Sequence, residues 1–146
     1  MRKFIQNKLK EQKGLTLIEL LAVIVILAIV AAIAIPAIGN VIENSRYGAI
    51  KSDATNIMAA ADVYYADGNE GASVTATILK SKGYLDDAGS FAEATVTKSA
   101  TAPSTISGNS VVGNVKLTLT GATRNDVKLI SKDNIPIRTD VIKITP

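Results

Sequence analysis

The chain has 146 residues, enough for one domain of ordinary size, and 47% of them are hydrophobic although only 4% are aromatic. Its net charge of +3 comes from residues 1–14, because residues 15–146 sum to −1. The chain contains neither His nor Cys, which excludes disulfides, thiolate metal sites, and hydrolytic sites that depend on histidine or a thiol. We therefore expect no enzyme activity, cofactor or metal site.

The first two elements are a basic segment and an apolar block. Residues 1–14 end at Gly14, and residues 15–38 read LTLIELLAVIVILAIVAAIAIPAI, with Glu19 as the single charge. As a helix, this block would be about 36 Å long, enough to cross a bilayer core of about 30 Å. The basic segment on one side predicts a cytoplasmic N-terminus and an exported remainder.

Two other interpretations of the apolar block fit less well. A buried core helix is disfavoured because the block is apolar on every face, more than a small domain can cover. A secretory signal peptide would have an apolar region of only about 7–15 residues, followed by a cleavage site of small residues. The block therefore predicts a membrane-spanning helix.

A helical pattern continues after Gly39 and predicts an amphipathic helix over residues 39–66. Apolar residues recur there in alternating steps of four and three, at Ile50, Ala54, Ile57, Ala61 and Tyr64. Charged residues lie between them and predict a solvated face, at Glu43, Arg46, Lys51, Asp53 and Asp62. Gly68 and Gly71 are natural helix stops.

Pro36 interrupts the helical pattern near the end of the apolar block. Proline lacks the N–H that would bond the carbonyl of Ala32, and its ring crowds that carbonyl. With Gly39 close by, the sequence predicts either a kink where the helix leaves the membrane or a segment, residues 32–40, that melts locally.

The remainder is predicted to be a loop followed by a sheet. Residues from about 67 to 110 form the loop, with a short helical turn closed by Gly83 and one candidate strand at residues 94–97. A small antiparallel sheet covers about 111–146, in three strands within VVGNVKLTLTG, NDVKLISK and DVIKITP. In the first of these strands, Val115, Leu117 and Leu119 are predicted to face inward, and the polar residues between them outward. The predicted fold is α+β, a long N-terminal helix packed on a small antiparallel β-sheet.

The segment KGLTLIELLAVIVILAIVAAIAIP closely resembles the N-terminus of type IV pilins and pseudopilins. The resemblance is close over residues 10–47 and architectural beyond them. It implies that a prepilin peptidase removes residues 1–14, cutting between Gly14 and Leu15, and then methylates the new amino group of Leu15. Leu15 departs from the phenylalanine that is usual in the family.

The same resemblance gives Glu19 a partner, the amino terminus of Leu15 in a neighbouring subunit. Opposite charges attract strongly in low dielectric, so the pair would also set the height at which a subunit joins the stack. Two alternatives remain open: Glu19 stays hydrated near the headgroups, or it bonds to its own N-terminus. The resemblance further implies that the segment around Pro36 and Gly39 is extended in assembled pili.

The implied function is that of a major pilin, polymerised by an assembly ATPase and membrane platform proteins into a surface filament for adhesion or motility. The alternatives are a minor pilin or pseudopilin of a competence or type II secretion apparatus, and a single-span membrane protein that never polymerises. The chain would sit in the cytoplasmic membrane before assembly and in an extracellular filament afterwards.

Charge and cysteine content give two weaker expectations. Residues 39–97 sum to −4 and residues 98–146 to +4, which suggests complementary patches between subunits. A DNA-contacting face would also use basic residues, but no interleaving of aromatic and basic residues supports one. The absence of a disulfide favours a Gram-positive or anaerobic source.

Overall fold

The computed structural model describes residues 16–131 and the backbone of residues 142–145. Its helices are α1 (Leu17–Ala66), α2 (Ala76–Ser81) and α3 (Arg124–Lys128). Its strands are β1 (Ser73–Thr75), β2 (Thr95–Thr97), β3 (Thr105–Val112), β4 (Val115–Thr123) and β5 (Ile142–Thr145). The strands form one antiparallel sheet in the order β1-β2-β3-β4-β5, which confirms the predicted α+β class.

The chain divides into two compact units after Asn40, and helix α1 contributes residues to both. The first unit contains the apolar part of α1. Its sequence is rich in Leu, Ile, Val and Ala, and none of its described residues is fully buried within the chain. We call the second unit, Val41–Pro146, the head.

The core of the head lies between α1 and one face of the sheet. Ile50, Ala54, Ile57 and Ala61 of α1 have no solvent exposure, which confirms the predicted apolar stripe, and Tyr64 packs against its edge. Strand β4 contributes every second residue to this core, as its period-2 pattern predicts. Val115, Leu117 and Leu119 are all buried. Burial of this stripe is what stabilises the second half of α1.

The charged side of α1 is less solvated than the sequence predicts. Asp62 is exposed, but Arg46 and Asp53 are half-buried because loops of the head cover them. The helix ends as predicted near Gly68, which adopts a left-handed φ of 83°.

The prediction for residues 67–110 is confirmed at the short helical turn, which is α2, and at the candidate strand, which overlaps β2, but a loop is wrong for β1 and for most of β3. That range contains β1, α2 and β2 as well as most of β3. Strand β3 reads TISGNSVV, and only Ile106 and Ser110 are buried, so its small polar residues lack a hydrophobic alternation. It is a strand because β2 and β4 pair with it on both sides, which local sequence does not reveal. The sheet therefore has five strands, not three.

The predicted strand within NDVKLISK is also wrong, since most of it lies in or directly after helix α3. Thr123 and Asp126 form a capping box: the Thr123 hydroxyl donates to Asp126 Oδ2 at 2.7 Å, and Asp126 N–H donates to Thr123 Oγ1 at 3.3 Å. Val127 and Ile130 are buried at helical spacing, whereas Leu129 is 48% exposed. The cap and this spacing outweigh the apparent alternation of Val127 and Leu129.

Candidate functional site

Thr16 and Glu19 form a reciprocal hydrogen-bonded cap at the start of α1. The Thr16 N–H and hydroxyl each donate to Glu19 Oε2 at 2.8 Å. The Glu19 N–H donates back to Thr16 Oγ1 at 3.3 Å. This arrangement is a capping box, and it satisfies two of the N–H groups that a helix start leaves unpaired. Glu19 therefore has a structural partner within its own chain.

The cap does not neutralise the Glu19 charge. Among the described residues, Glu19 has no ion pair and its Oε1 accepts no hydrogen bond. Helix α1 contains no basic residue before Arg46. A charged side chain inside a bilayer costs about 2.5–3.5 kcal/mol on insertion scales. Neither the second carboxylate oxygen nor the negative charge of Glu19 thus has a partner within the part of the chain that the structure describes.

The two residues at the predicted cleavage point, Gly14 and Leu15, lie outside the described residues. The structure therefore brings Glu19 together with Thr16, while the contact between Glu19 and the Leu15 amine stays a prediction. Thr16 is a functional residue that was not predicted. Its signal was present as the pattern T-x-x-E directly before an apolar run, which is the signature of a capping box.

The apolar surface of α1 after the cap is uncovered. Every large aliphatic side chain from Leu17 to Ile42 is at least 47% exposed within the chain. This stretch holds the single candidate membrane span among the described residues, and the chain itself buries none of that span. An exposed apolar surface of this size requires lipid or other protein around it.

Pro36 and Gly39 both lie within α1, which continues through them. A Cβ at Gly39 would meet no other atom within 4 Å, so packing of the single chain does not require glycine there. The predicted melting of residues 32–40 concerns an assembled filament and stays a prediction.

Residues 9–35 match the family model for the prokaryotic N-terminal methylation motif. The chain carries the class III prepilin leader of type IV pilins. The match contains Gly14, Leu15 and Glu19, whereas Pro36 and Gly39 lie just beyond it. Comparison with curated proteins and with solved structures gave no significant match.

The prepilin leader narrows the class of protein. It supports a type IV pilin-like or pseudopilin protein, and so points to a structural protein rather than an enzyme. Together with the single apolar N-terminal helix, it fits a membrane-anchored precursor that later enters a pilus. It also implies processing by prepilin peptidase and assembly into pili.

The head contains a polar clamp between α1 and the loop before β2. Ser90 donates from its N–H at 2.8 Å and from its hydroxyl at 2.7 Å, both to Asp53 Oδ2. Gly89 approaches the same carboxylate so closely that a Cβ would overlap it, and its φ is 55°. About two helical turns earlier in α1, the Arg46 guanidinium donates to Asn114 Oδ1 in the β3–β4 turn. These contacts explain why the charged side of α1 is half-buried.

Replacing Asp53 with alanine should destabilise the head, because two hydrogen bonds to a charged group would be lost. Such bonds contribute about 1.5–3 kcal/mol each in favourable cases, so we expect a loss of about 2–4 kcal/mol in the free energy of unfolding. Thermal unfolding of the full chain in detergent, followed by near-UV circular dichroism, measures it.

Asp62→Ala is the matched control, since Asp62 lies on the same helix. Its carboxylate pairs with Arg124 at 2.6 Å, but its side chain is 54% exposed, so the loss should stay below about 1 kcal/mol. Equal losses in the two variants would contradict a specific role for the clamp.

Three tyrosines pack together at the C-terminal end of α1. The ring of Tyr64 packs edge-on against Tyr65 and Tyr84, with centroid separations of 5.5 Å and 5.3 Å. Tyr84 donates to Asp67 at 2.8 Å, which raises the pKa of the Tyr84 phenol, and burial raises the pKa of the Tyr65 phenol. The Lys98 Nζ lies 4.9 Å from the Tyr65 ring centroid. These contacts anchor the segments after α2 and β2 to the helix.

Proposed function

We propose that this chain is the structural subunit, a major pilin, of a type IV pilus. The observation that carries the proposal is the prepilin leader directly followed by the apolar part of α1, where every large aliphatic side chain from Leu17 to Ile42 is exposed. After the leader is removed, that helix has two successive environments. Lipid surrounds it in the membrane, and the helices of neighbouring subunits surround it in the filament.

Cleavage between Gly14 and Leu15 creates the amine that Glu19 requires. In this proposal, Oε2 of Glu19 keeps the cap with Thr16 while the carboxylate charge pairs with the methylated amino group of a neighbouring Leu15. Two opposite charges that leave water together each lower the cost of burying the other. The pair would form only between correctly stacked subunits, so it sets the register of the filament.

The further parts of the proposal follow from this role. The precursor spans the cytoplasmic membrane with its N-terminus inside, and an assembly ATPase with membrane platform proteins drives polymerisation. Residues 32–40 around Pro36 and Gly39 open in the filament and let it extend. Adhesion and motility are the proposed uses, and a Gram-positive source remains a prediction from the absence of Cys.

Abundance in purified surface filaments tests the proposal and separates it from the nearest alternative. A minor pilin or pseudopilin would carry the same leader, so the leader does not distinguish them. We expect this chain to be the predominant protein in filaments sheared from cells, with a methylated Leu15 at its N-terminus by mass spectrometry. A small share of the filament mass would reject the major-pilin role, and an intact Met1 would reject the pilin interpretation as a whole.

A further inference from the structure

An open groove crosses the head between α1 and the segment after α2. Its lining is mixed: Ala59, Val63 and Leu85 supply apolar surface, Asn56 and Tyr84 add polar groups, and the acids Asp86 and Asp87 also line it. Val63 is 53% exposed, although it lies beside the buried core residues of α1. The groove therefore combines an uncovered apolar surface with two carboxylates.

The carboxylates of the groove are largely unpaired. Asp86 has no hydrogen bond or ion pair among the described residues. Asp87 pairs with Lys80 at 3.9 Å, but both side chains are well exposed, at 81% and 59%. An exposed ion pair of this kind contributes little to stability, so both carboxylates can still pair with a cation of another molecule.

The β3–β4 hairpin presents a surface of complementary character. Val111 and Lys116 are partners in the strand register and lie on the sheet face opposite the core. Val111 is 59% exposed, and Lys116 is exposed with no ion pair among the described residues. Directly opposite residues in an antiparallel pair have Cβ atoms about 5 Å apart. An apolar side chain and a cation thus stand side by side on a rigid hairpin.

We propose that the groove of one head receives the β3–β4 hairpin of a second copy. Val111 of that copy would cover Val63 and Ala59, and its Lys116 would lie between Asp86 and Asp87. The charges of the two halves of the chain, −4 over residues 39–97 and +4 over residues 98–146, favour this pairing over a pairing of like surfaces. The contact joins different surfaces of identical chains, so it repeats without closing on itself when the rotation permits.

This inference rests on the proposed filament, because polymerisation through α1 would hold the heads of neighbouring subunits at high effective concentration. A weak contact between heads is then sufficient. It gives the hairpin and the groove the function of positioning each head against the next one.

Because the chain contains no cysteine, any disulfide between two copies must join cysteines that were introduced. In the double variant Val63→Cys with Val111→Cys, mild oxidation of cells should produce a ladder of disulfide-linked multimers. Either single variant should give no product larger than a dimer. Val63→Cys combined with Ala100→Cys, an exposed residue of the loop after β2, is the matched control and should give no ladder.

A charge exchange tests the ionic part of the contact. In the double-cysteine background, Asp86→Lys or Lys116→Asp alone should lower the cross-linked fraction about fivefold. The two together should restore it. Failure of the combined variant to recover would overturn the proposal.

Electron microscopy of the same cells scores filament assembly separately. Filaments without a ladder would overturn this inference and leave the proposed function intact. A ladder in cells that form no filament would support the contact between heads while rejecting the proposed function. A ladder of equal strength in the Ala100→Cys control, or a disulfide from Val63→Cys to a different protein without a ladder, would overturn the inference.

Discussion

Replacing Glu19 with alanine is expected to leave the chain processed and in the membrane but unable to join a filament. The substitution removes both the capping box with Thr16 and the proposed ion pair with Leu15 of a neighbour. Removing one partner of a buried ion pair typically costs about 3–5 kcal/mol. At about 1.4 kcal/mol for each factor of ten, subunit association should weaken by roughly a hundredfold to several thousandfold.

Glu19→Gln separates the two functions of this side chain. A glutamine at the same helical position can still accept from Thr16 and so keep the capping box, but it carries no charge. We expect Glu19→Gln to fail in assembly almost as completely as Glu19→Ala. Thr16→Val is the reciprocal variant, because it removes the hydroxyl while keeping the charge, and it should reduce assembly far less.

The measurement is the number of filaments per cell by electron microscopy, with membrane levels of the subunit checked by immunoblot. Normal filaments from Glu19→Gln would show that the cap alone explains Glu19, and the ion pair would be rejected. Loss of the protein from the membrane would mean instead that Glu19 is needed before assembly.

Replacing Gly14 with a bulky residue such as leucine is expected to prevent removal of the leader. Glycine lets the backbone of a substrate lie close against a protease, and a branched side chain at the cut would hold it away. The chain should then retain residues 1–14, so that no amine forms at Leu15. Filaments should be absent, because the proposed partner of Glu19 never exists.

The mass of the chain in isolated membranes measures processing directly. Gly48→Leu is the matched control: Gly48 lies in α1, a Cβ there meets nothing within 4 Å, and the leader should still be removed. A cleaved, N-methylated Gly14→Leu chain would reject the assignment of the cleavage point.

The apolar block and the apolar stripe in the second half of α1 were predictable because each is a local pattern. Continuous hydrophobicity over a bilayer thickness has few structural solutions, and a stripe with a period near 3.6 identifies a buried helix face. The alternation of Val115, Leu117 and Leu119 identified β4 for the same reason. The capping box of Thr16 and Glu19 is an equally local pattern, T-x-x-E before an apolar run, although it was not among the predictions.

Strand β3 and helix α3 show where local pattern fails. Strand β3 is specified by its partners: Gly108 lies so close to Ala94 that a Cβ would be 2.9 Å from its Cα, an approach that no local signal predicts. In helix α3, Val127 and Ile130 are buried in the core at helical spacing, whereas Leu129, which would be buried in a strand, is exposed. The strand is set by contacts with segments distant in sequence, whereas the helix also has a local signal, the capping box of Thr123 and Asp126, which the apparent alternation obscured.

The prepilin leader, the membrane-length helix and the position of Glu19 follow from the sequence alone. They are linear features, because a leader motif and continuous hydrophobicity over a bilayer thickness need no contact between distant segments. The five-stranded sheet, the clamp of Asp53 on Ser90, and the position of Val111 beside Lys116 on one face of the hairpin follow from tertiary contacts. Each of these depends on pairing between distant segments, whose energy comes from shared burial and strand register and not from the intrinsic preference of any one segment.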